Sequence, residues 1–310
     1  MAFSPPSIEL SSGGRPLDAS PDALGAMEEA THLLGDPEAL REQLAETGYL
    51  LIRGFHDRDR VVAARRSILQ KLADADWVDP DGPLEAGRLL PDAEKPAGLL
   101  EYAYEEPAVE NVIYGPAMMA LMDALLGGPA MHFDYTWLRT TPPGNGTPPH
   151  CDLVFMGRGT HHLFTCWTPL GDIDYEQGGL MVLEDSHRKR NRIAGYLKGD
   201  FDSFCANRPE AEIDRSERAH AGHLTDNPVR LRQSLGGRWL TTEFRMGDIL
   251  IFPMYLIHAS LDNTSEDRVR LSTDSRYQLA TEAVDPRWVR PAPGERPPGH
   301  GPHVARGVIC

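Results

Sequence analysis

The stretch TPPHCDLV (147–154) sets His150 two residues before Asp152, just after the turn PPGNG (142–146). On a strand, side chains alternate between faces, so residues i and i+2 project together. An imidazole and a carboxylate placed that way supply two ligands of a 2-His-1-carboxylate triad. That set holds non-haem Fe(II) and leaves coordination positions open. A second copy of the pattern, HFD (132–134), offers His132 and Asp134 on the other side of the same turn. Either pair needs a further histidine from a neighbouring strand. His258 closes the second apolar stretch of GDILIFPMYLIHASLDN (247–263) and is a candidate. Taken alone it reads equally well as a core or surface histidine.

Further along, Arg270 and Ser272 open the alternating run RLSTDSRYQ (270–278). At i and i+2 on a strand they share a face. A guanidinium and a hydroxyl there can jointly hold a carboxylate, the first by a two-point pair and the second by one bond. By itself Arg270 would be a surface salt bridge. His161 and His162 would face opposite sides of a strand, so they do not ligate one metal together. The run HRKRNR (187–192) is either a solvated face or a contact for an anionic substrate at a pocket mouth. Gln177-Gly178-Gly179 is a tight turn into a buried strand, and Asp185-Ser186-His187 is a turn whose side chains bond the backbone.

The elements that must position these residues follow from periodicity and punctuation. Residues 21–34 and 37–46 predict helices, each with a capping residue before proline: Ser20-Pro21 and Asp36-Pro37. Gly48 ends the second helix, and YLLIRGF (49–55) is a strand-length apolar run. Residues 58–74 predict an amphipathic helix through Val61, Ile68 and Leu72, and 116–126 a helix ending at Gly127-Gly128. After residue 130 the texture becomes β: 134–140, 153–156, 162–170, 180–183, 239–244, 248–252 and 270–278 all read as short strands between Pro/Gly turns. Helices first and strands afterwards predict a mainly β domain with flanking helices, its core a sandwich or barrel.

The expected organisation is a flexible arm over 1–19, a single domain over 20–284 and a Pro/Gly-rich tail over 285–310. A polar insertion at about 190–236 is long enough to act as a lid over a site. A net charge of −15 in 310 residues argues against a general nucleic-acid binder. No run approaches the apolar length of a membrane span, and no signal peptide is visible. The four cysteines (151, 166, 205 and 310) show no paired spacing and read as reduced thiols of a cytoplasmic protein.

Taken together, GYLLIRGF, PPHCD, TCWTPLGDIDYEQGGLMVLEDSHR, GDILIF…IHASLDN and RVRLSTDSRYQ resemble the phytanoyl-CoA dioxygenase-like family of Fe(II)- and 2-oxoglutarate-dependent oxygenases, over about residues 40–285. The resemblance implies a double-stranded β-helix, a cupin-like jelly roll. It implies His150, Asp152 and His258 as iron ligands, and places HFD at the start of the preceding strand. It implies Arg270 as the partner of the far carboxylate of 2-oxoglutarate, with Arg268 a rival because the segment after His258 runs about one residue long. Ser260 matches a small polar residue that contacts the cosubstrate, and Trp167 an aromatic lining its pocket. Arg139 stands near the metal or plays a structural part. Dioxygen is the second cosubstrate. The product side is succinate, carbon dioxide and a small molecule oxidised at an unactivated C–H bond. Halogenases of related fold carry a small residue in place of the carboxylate, so Asp152 points to hydroxylation, desaturation or ring formation. The enzyme would be a monomer or homodimer acting on a small-molecule substrate, a secondary metabolite. The competing expectation is a jelly-roll binding protein whose metal site performs no turnover.

Overall fold

A computed structural model describes residues 8–93, 106–200 and 222–289. The centre of the expected lid, most of the expected tail, Cys205 and Cys310 lie outside those residues. Twelve strands are described: β1 (Ser11–Ser12), β2 (Arg15–Pro16), β3 (Leu24–Ala26), β4 (Leu50–Ile52), β5 (Ala130–His132), β6 (Trp137–Thr141), β7 (Leu163–Pro169), β8 (Leu180–Leu183), β9 (Trp239–Thr241), β10 (Ile249–Pro253), β11 (His258–Ser260) and β12 (Arg270–Leu279). Six α-helices join them: α1 (Pro37–Thr47), α2 (Arg58–Asp74), α3 (Pro107–Ile113), α4 (Pro116–Leu126), α5 (Leu153–Met156) and α6 (Pro228–Leu235).

Two sheets face each other. The larger runs β4-β10-β7-β12-β5, with β6 beside the first half of β12; the smaller runs β11-β8-β9-β3. Leu51, Trp167, Leu250 and Phe252 from the larger sheet meet Leu180, Val182 and Leu240 from the smaller in one buried cluster. Helices α1 and α4 cover the outer face of the larger sheet, while Leu235 of α6 packs on Met181, Leu183 and Trp239 of the smaller one. Leu40 and Leu44 of α1 and Met118, Met122 and Leu125 of α4 pack on Phe164, Cys166, Ile251 and Tyr277. The structure is the mainly β jelly roll with flanking helices that the sequence leads one to expect.

The helix signals hold where a cap and a continuous face coincide. Asp36 accepts from Ala39 N, Pro37 occupies the first turn, and Gly48 ends α1 in the left-handed region at φ 83°. Asp57 caps α2 by accepting from Arg60 N, and Val61, Ile68, Leu69 and Leu72 are all buried beneath it. Pro107–Leu126 is long and apolar enough in composition to cross a membrane, contrary to the sequence expectation. It is two helices meeting at Gly115-Pro116, and α4 buries Met118, Leu121, Met122, Leu125 and Leu126.

Three expectations are corrected. Residues 21–34 form a turn, β3 and a 3-10 turn (Thr31–Leu33) instead of a helix. β3 pairs in parallel with β9, and a Cβ on Gly25 would lie 2.9 Å from Leu240, so that residue suits close strand packing more than helix. LVFM (153–156) is the helical turn α5, not a strand, with Met156 N bonding back to Asp152 O. A four-residue apolar run has no periodicity that separates the two forms. The described part of the supposed arm is also held. Ser11 Oγ and the amides of Gly13 and Gly14 donate to the Asp262 carboxylate, and Ser12 Oγ donates to Ser260 O.

One helix entrance carries a pH-sensitive group. Burial pushes the His56 imidazole down to about 4, and its Nε2 has no partner among the described residues. The unfolded chain takes up a proton below about 6.5 while the folded chain resists until about 4. This contribution is therefore complete above pH 6.5 and lost as pH falls between those values. His150, His258 and His187 are depressed in the same direction. Urea unfolding at pH 7 and pH 4.5 should show the loss, and His56→Gln should shrink it by roughly 1–2 kcal/mol. An identical pH dependence in the variant would rule His56 out as a contributor.

Candidate metal centre

His150 and His258 sit opposite each other as a reciprocal antiparallel bridge. His150 N donates to His258 O and His258 N to His150 O, each at 3.0 Å. The pair ties the turn after PPGNG to β11. Asp152 is not on a strand: its backbone is helical at φ −66°, ψ −24°, where α5 begins. The chain curls there, and the carboxylate swings beneath both imidazoles. Asp152 Oδ1 lies 3.8 Å from His150 Nε2 and 3.8 Å from His258 Nε2. One ligand atom from each of the three buried residues falls within 4.8 Å of the others, the one such group among the described residues.

The protonation states suit a cation. His150 Nδ1 meets Pro148 O at 2.9 Å and His258 Nδ1 meets Leu256 O at 3.1 Å. A carbonyl can only accept, so each Nδ1 carries the proton and each Nε2 presents a lone pair. Burial holds both imidazoles below their ordinary range, and at His150 the neighbouring His258 adds to this. Burial would raise the Asp152 carboxyl. The Arg276 guanidinium, the two histidines and the Thr165 hydroxyl outweigh it and keep the group ionised. Two neutral nitrogens and one carboxylate oxygen around a common point fit a divalent first-row metal.

Beside this triad lies an unpaired cation. Arg270 is buried, and no carboxylate among the described residues forms an ion pair with it. Its Nη2 reaches Ser260 Oγ at 3.3 Å and Thr141 Oγ1 at 3.1 Å, while Nη1 donates to Gly178 O. Gly178 sits at φ +70°, and a Cβ there would fall 2.4 Å from Asp262 O, so this turn admits little but glycine. Burial lowers the guanidinium to about 10, with Arg139 adding repulsion. Arg270 Nε and Ser272 Oγ, on one face of β12, find no partner among the described residues. A carboxylate placed there would satisfy both. The rival Arg268 is engaged elsewhere, with Asp174 at 3.0 Å and Glu176 at 3.1 Å.

Trp167 is buried between the sheets, with Phe244 edge-on at 4.7 Å. Arg139 lies opposite Ser272 in the β6–β12 register, and its Nε donates to Asp274 at 2.8 Å. Its side chain remains 37% accessible although it shares the interior-facing row. HFD is kept apart from the triad: His132 stacks on Tyr114 at 3.7 Å and pairs with Tyr277 in β5–β12. His161 and His162 lie on the surface beside Tyr255 and Glu282. The basic run spends its donors on backbone carbonyls. Arg188 and His187 reach Ala45 O in the last turn of α1, and Lys189 and Arg192 reach Gly236 O and Ser234 O at the end of α6. That is the favourable end of a helix for a cation.

Sequence reasoning passed over two residues that touch Asp152: Thr165 on β7 and Arg276 on β12. A signal was present, because Arg276 lies on the same strand face as Arg270, six residues on. Also unforeseen is Tyr196, whose hydroxyl accepts from Cys151 N between the two ligands and donates to Gly222 O. It joins both described ends of the insertion to the ligand segment.

Comparison with known proteins gives a family and a fold. Residues 44–271 match the family described as phytanoyl-CoA dioxygenase (PhyH). A 1-deoxypentalenic acid 11-beta-hydroxylase from Streptomyces exfoliatus is 26% identical over 275 residues, covering 84% of this chain and 87% of that protein. Among solved structures, the non-haem alpha-ketoglutarate-dependent epimerase SnoN from nogalamycin biosynthesis superposes with a TM-score of 0.54 at 19% identity, over 85% of this chain and 93% of that one. EctD from S. alaskensis gives 0.55 at 15% identity, over 91% and 92%. At those identities the structural matches speak for the fold.

Proposed function

The chain belongs to the phytanoyl-CoA dioxygenase family, a family of 2-oxoglutarate-dependent non-haem iron oxygenases, and from that premise we propose that it hydroxylates an unactivated C–H bond of a small secondary metabolite, releasing succinate and carbon dioxide. His150, Asp152 and His258 hold Fe(II). Arg270 and Ser272, with Ser260 beside them, take the far carboxylate of 2-oxoglutarate, and Trp167 helps to wall that pocket. The enzyme works in the cytoplasm as a monomer or homodimer.

The observation that carries this reading is the pairing of a neutral-His/ionised-Asp triad with a buried arginine that lacks an anion. A buried unpaired charge is costly, and a fold retains one where a ligand completes it. Bound iron and 2-oxoglutarate would supply the oxidising chemistry. The chain's own part is positional. The Nδ1–H bonds aim both imidazoles, Arg270 fixes one end of the cosubstrate, and the apolar cluster between the sheets excludes water. A hydroxylase relative supports an oxidised C–H as the product-forming site.

Two measurements test the proposal on one sample. Anaerobic 2-oxoglutarate added to the Fe(II) protein should produce a visible metal-to-ligand absorption band. Admission of dioxygen should then yield succinate. A band without succinate, or neither signal, would instead mark a jelly-roll binding protein.

A further inference from the structure

Asp152 has two oxygens, and the structure treats them differently. Oδ1 faces the two imidazole nitrogens, 3.8 Å from each. Oδ2 points the other way, where it accepts from Thr165 Oγ1 and lies 3.1 Å from Arg276 Nη2. Arg276 is 1% exposed and is itself tightly placed. Its guanidinium lies over the Trp137 ring at 4.6 Å, and its Nε contacts Met156 Sδ at 3.2 Å. Its Nη1 has no partner among the described residues, and Asp152 is the one carboxylate ion-paired with it there.

The strand context makes the arrangement stiff. Arg276 is opposite Thr165 in the β12–β7 register, so the two donors to Oδ2 are cross-strand neighbours. The same face of β12 carries Arg270 and Ser272. Asp274 lies between and is neutralised by Arg139. One strand, paired along both edges, therefore presents one arginine with a carboxylate partner and one without.

We propose that Arg276, assisted by Thr165, is a positioning residue that reserves Oδ2 of Asp152 and so restricts the carboxylate to one-oxygen ligation of the metal. This rests on the iron-site reading above. With Oδ2 held by Arg276 and Thr165, Oδ1 is the oxygen that Asp152 would offer to a metal held with His150 and His258. With Oδ2 released, the carboxylate can turn its second oxygen toward the metal or swing away from it.

The test uses Co(II) alone on the full-length apoprotein, with visible absorption reading both affinity and coordination number. Arg276→Met should weaken Co(II) binding by roughly tenfold to a hundredfold and alter the shape and intensity of the bound spectrum. Thr165→Val should shift both in the same sense by less, and Thr165→Ser, which keeps the hydroxyl, should restore them. In an Asp152→Ala background, Arg276→Met should cause no further loss. Wild-type affinity and spectrum in folded Arg276→Met, or an additive loss in the Asp152→Ala background, would overturn the proposal. If Arg276→Met fails to fold, the Thr165 pair decides: unchanged binding and spectrum in Thr165→Val would overturn it. Tight Co(II) binding by the wild type without succinate formation would remove the oxygenase reading while leaving this one standing.

Discussion

His150→Ala and Asp152→Ala are each expected to reduce 2-oxoglutarate-dependent succinate formation below detection. Partners that merely orient a ligand are worth roughly tenfold to a hundredfold in metal affinity, and loss of a ligand costs more. The two variants should differ in stability. His150 is held neutral by burial, so its removal leaves a cavity and no orphaned charge. Asp152 balances Arg276, and its removal strands a guanidinium that is 1% exposed. Breaking such a pair costs about 3–5 kcal/mol. Asp152→Ala should thus melt well below His150→Ala, while both are inactive. Succinate release and a thermal melt on the same preparations check this. Turnover near the wild-type rate in both variants would sink the metal assignment.

The second large effect separates two arginines. Arg270→Met should raise the 2-oxoglutarate concentration needed for half-maximal absorption change by roughly thirtyfold to several thousandfold. This corresponds to about 2–5 kcal/mol for truncating one member of a buried, hydrogen-bonded charge pair. Arg268→Ala should change it by less than about fivefold, because its contacts with Asp174 and Glu176 are partly exposed pairs of the kind worth about 0–1 kcal/mol. Fe(II) affinity should stay near the wild type in both. The opposite ranking would hand the cosubstrate to Arg268.

Much of this site was legible in the chain because its signals are local. A His-x-Asp after a Pro/Gly turn, a histidine at the end of an apolar run, and Arg-x-Ser opening an alternating strand each occupy a few neighbouring residues. The caps at Asp36 and Asp57 and the amphipathic face of α2 are local in the same way. Failures arose where the pattern was too short or its partner too distant. LVFM carries no period that separates strand from helical turn. Within residues 21–34, Leu24–Ala26 become β3 because they pair with a strand more than 200 residues away. The arm looked loose because its holder, Asp262, is equally remote.

The sequence by itself determined the chemical types at this centre: two imidazoles, one carboxylate and a cation with a hydroxyl beside it. These are properties of side chains at fixed short spacing. Only the tertiary structure decided which arginine is which. Arg270 and Arg276 occupy equivalent positions on one face of β12. They differ because folding brings Asp152 and Thr165 against one and leaves the other surrounded by hydroxyls and carbonyls. The same long-range packing chose HCD over HFD, since the backbone bridge to His258 forms at His150 while His132 pairs with Tyr277. Ion pairing in a buried interior depends on what arrives from other strands, and no spacing along a single strand encodes it.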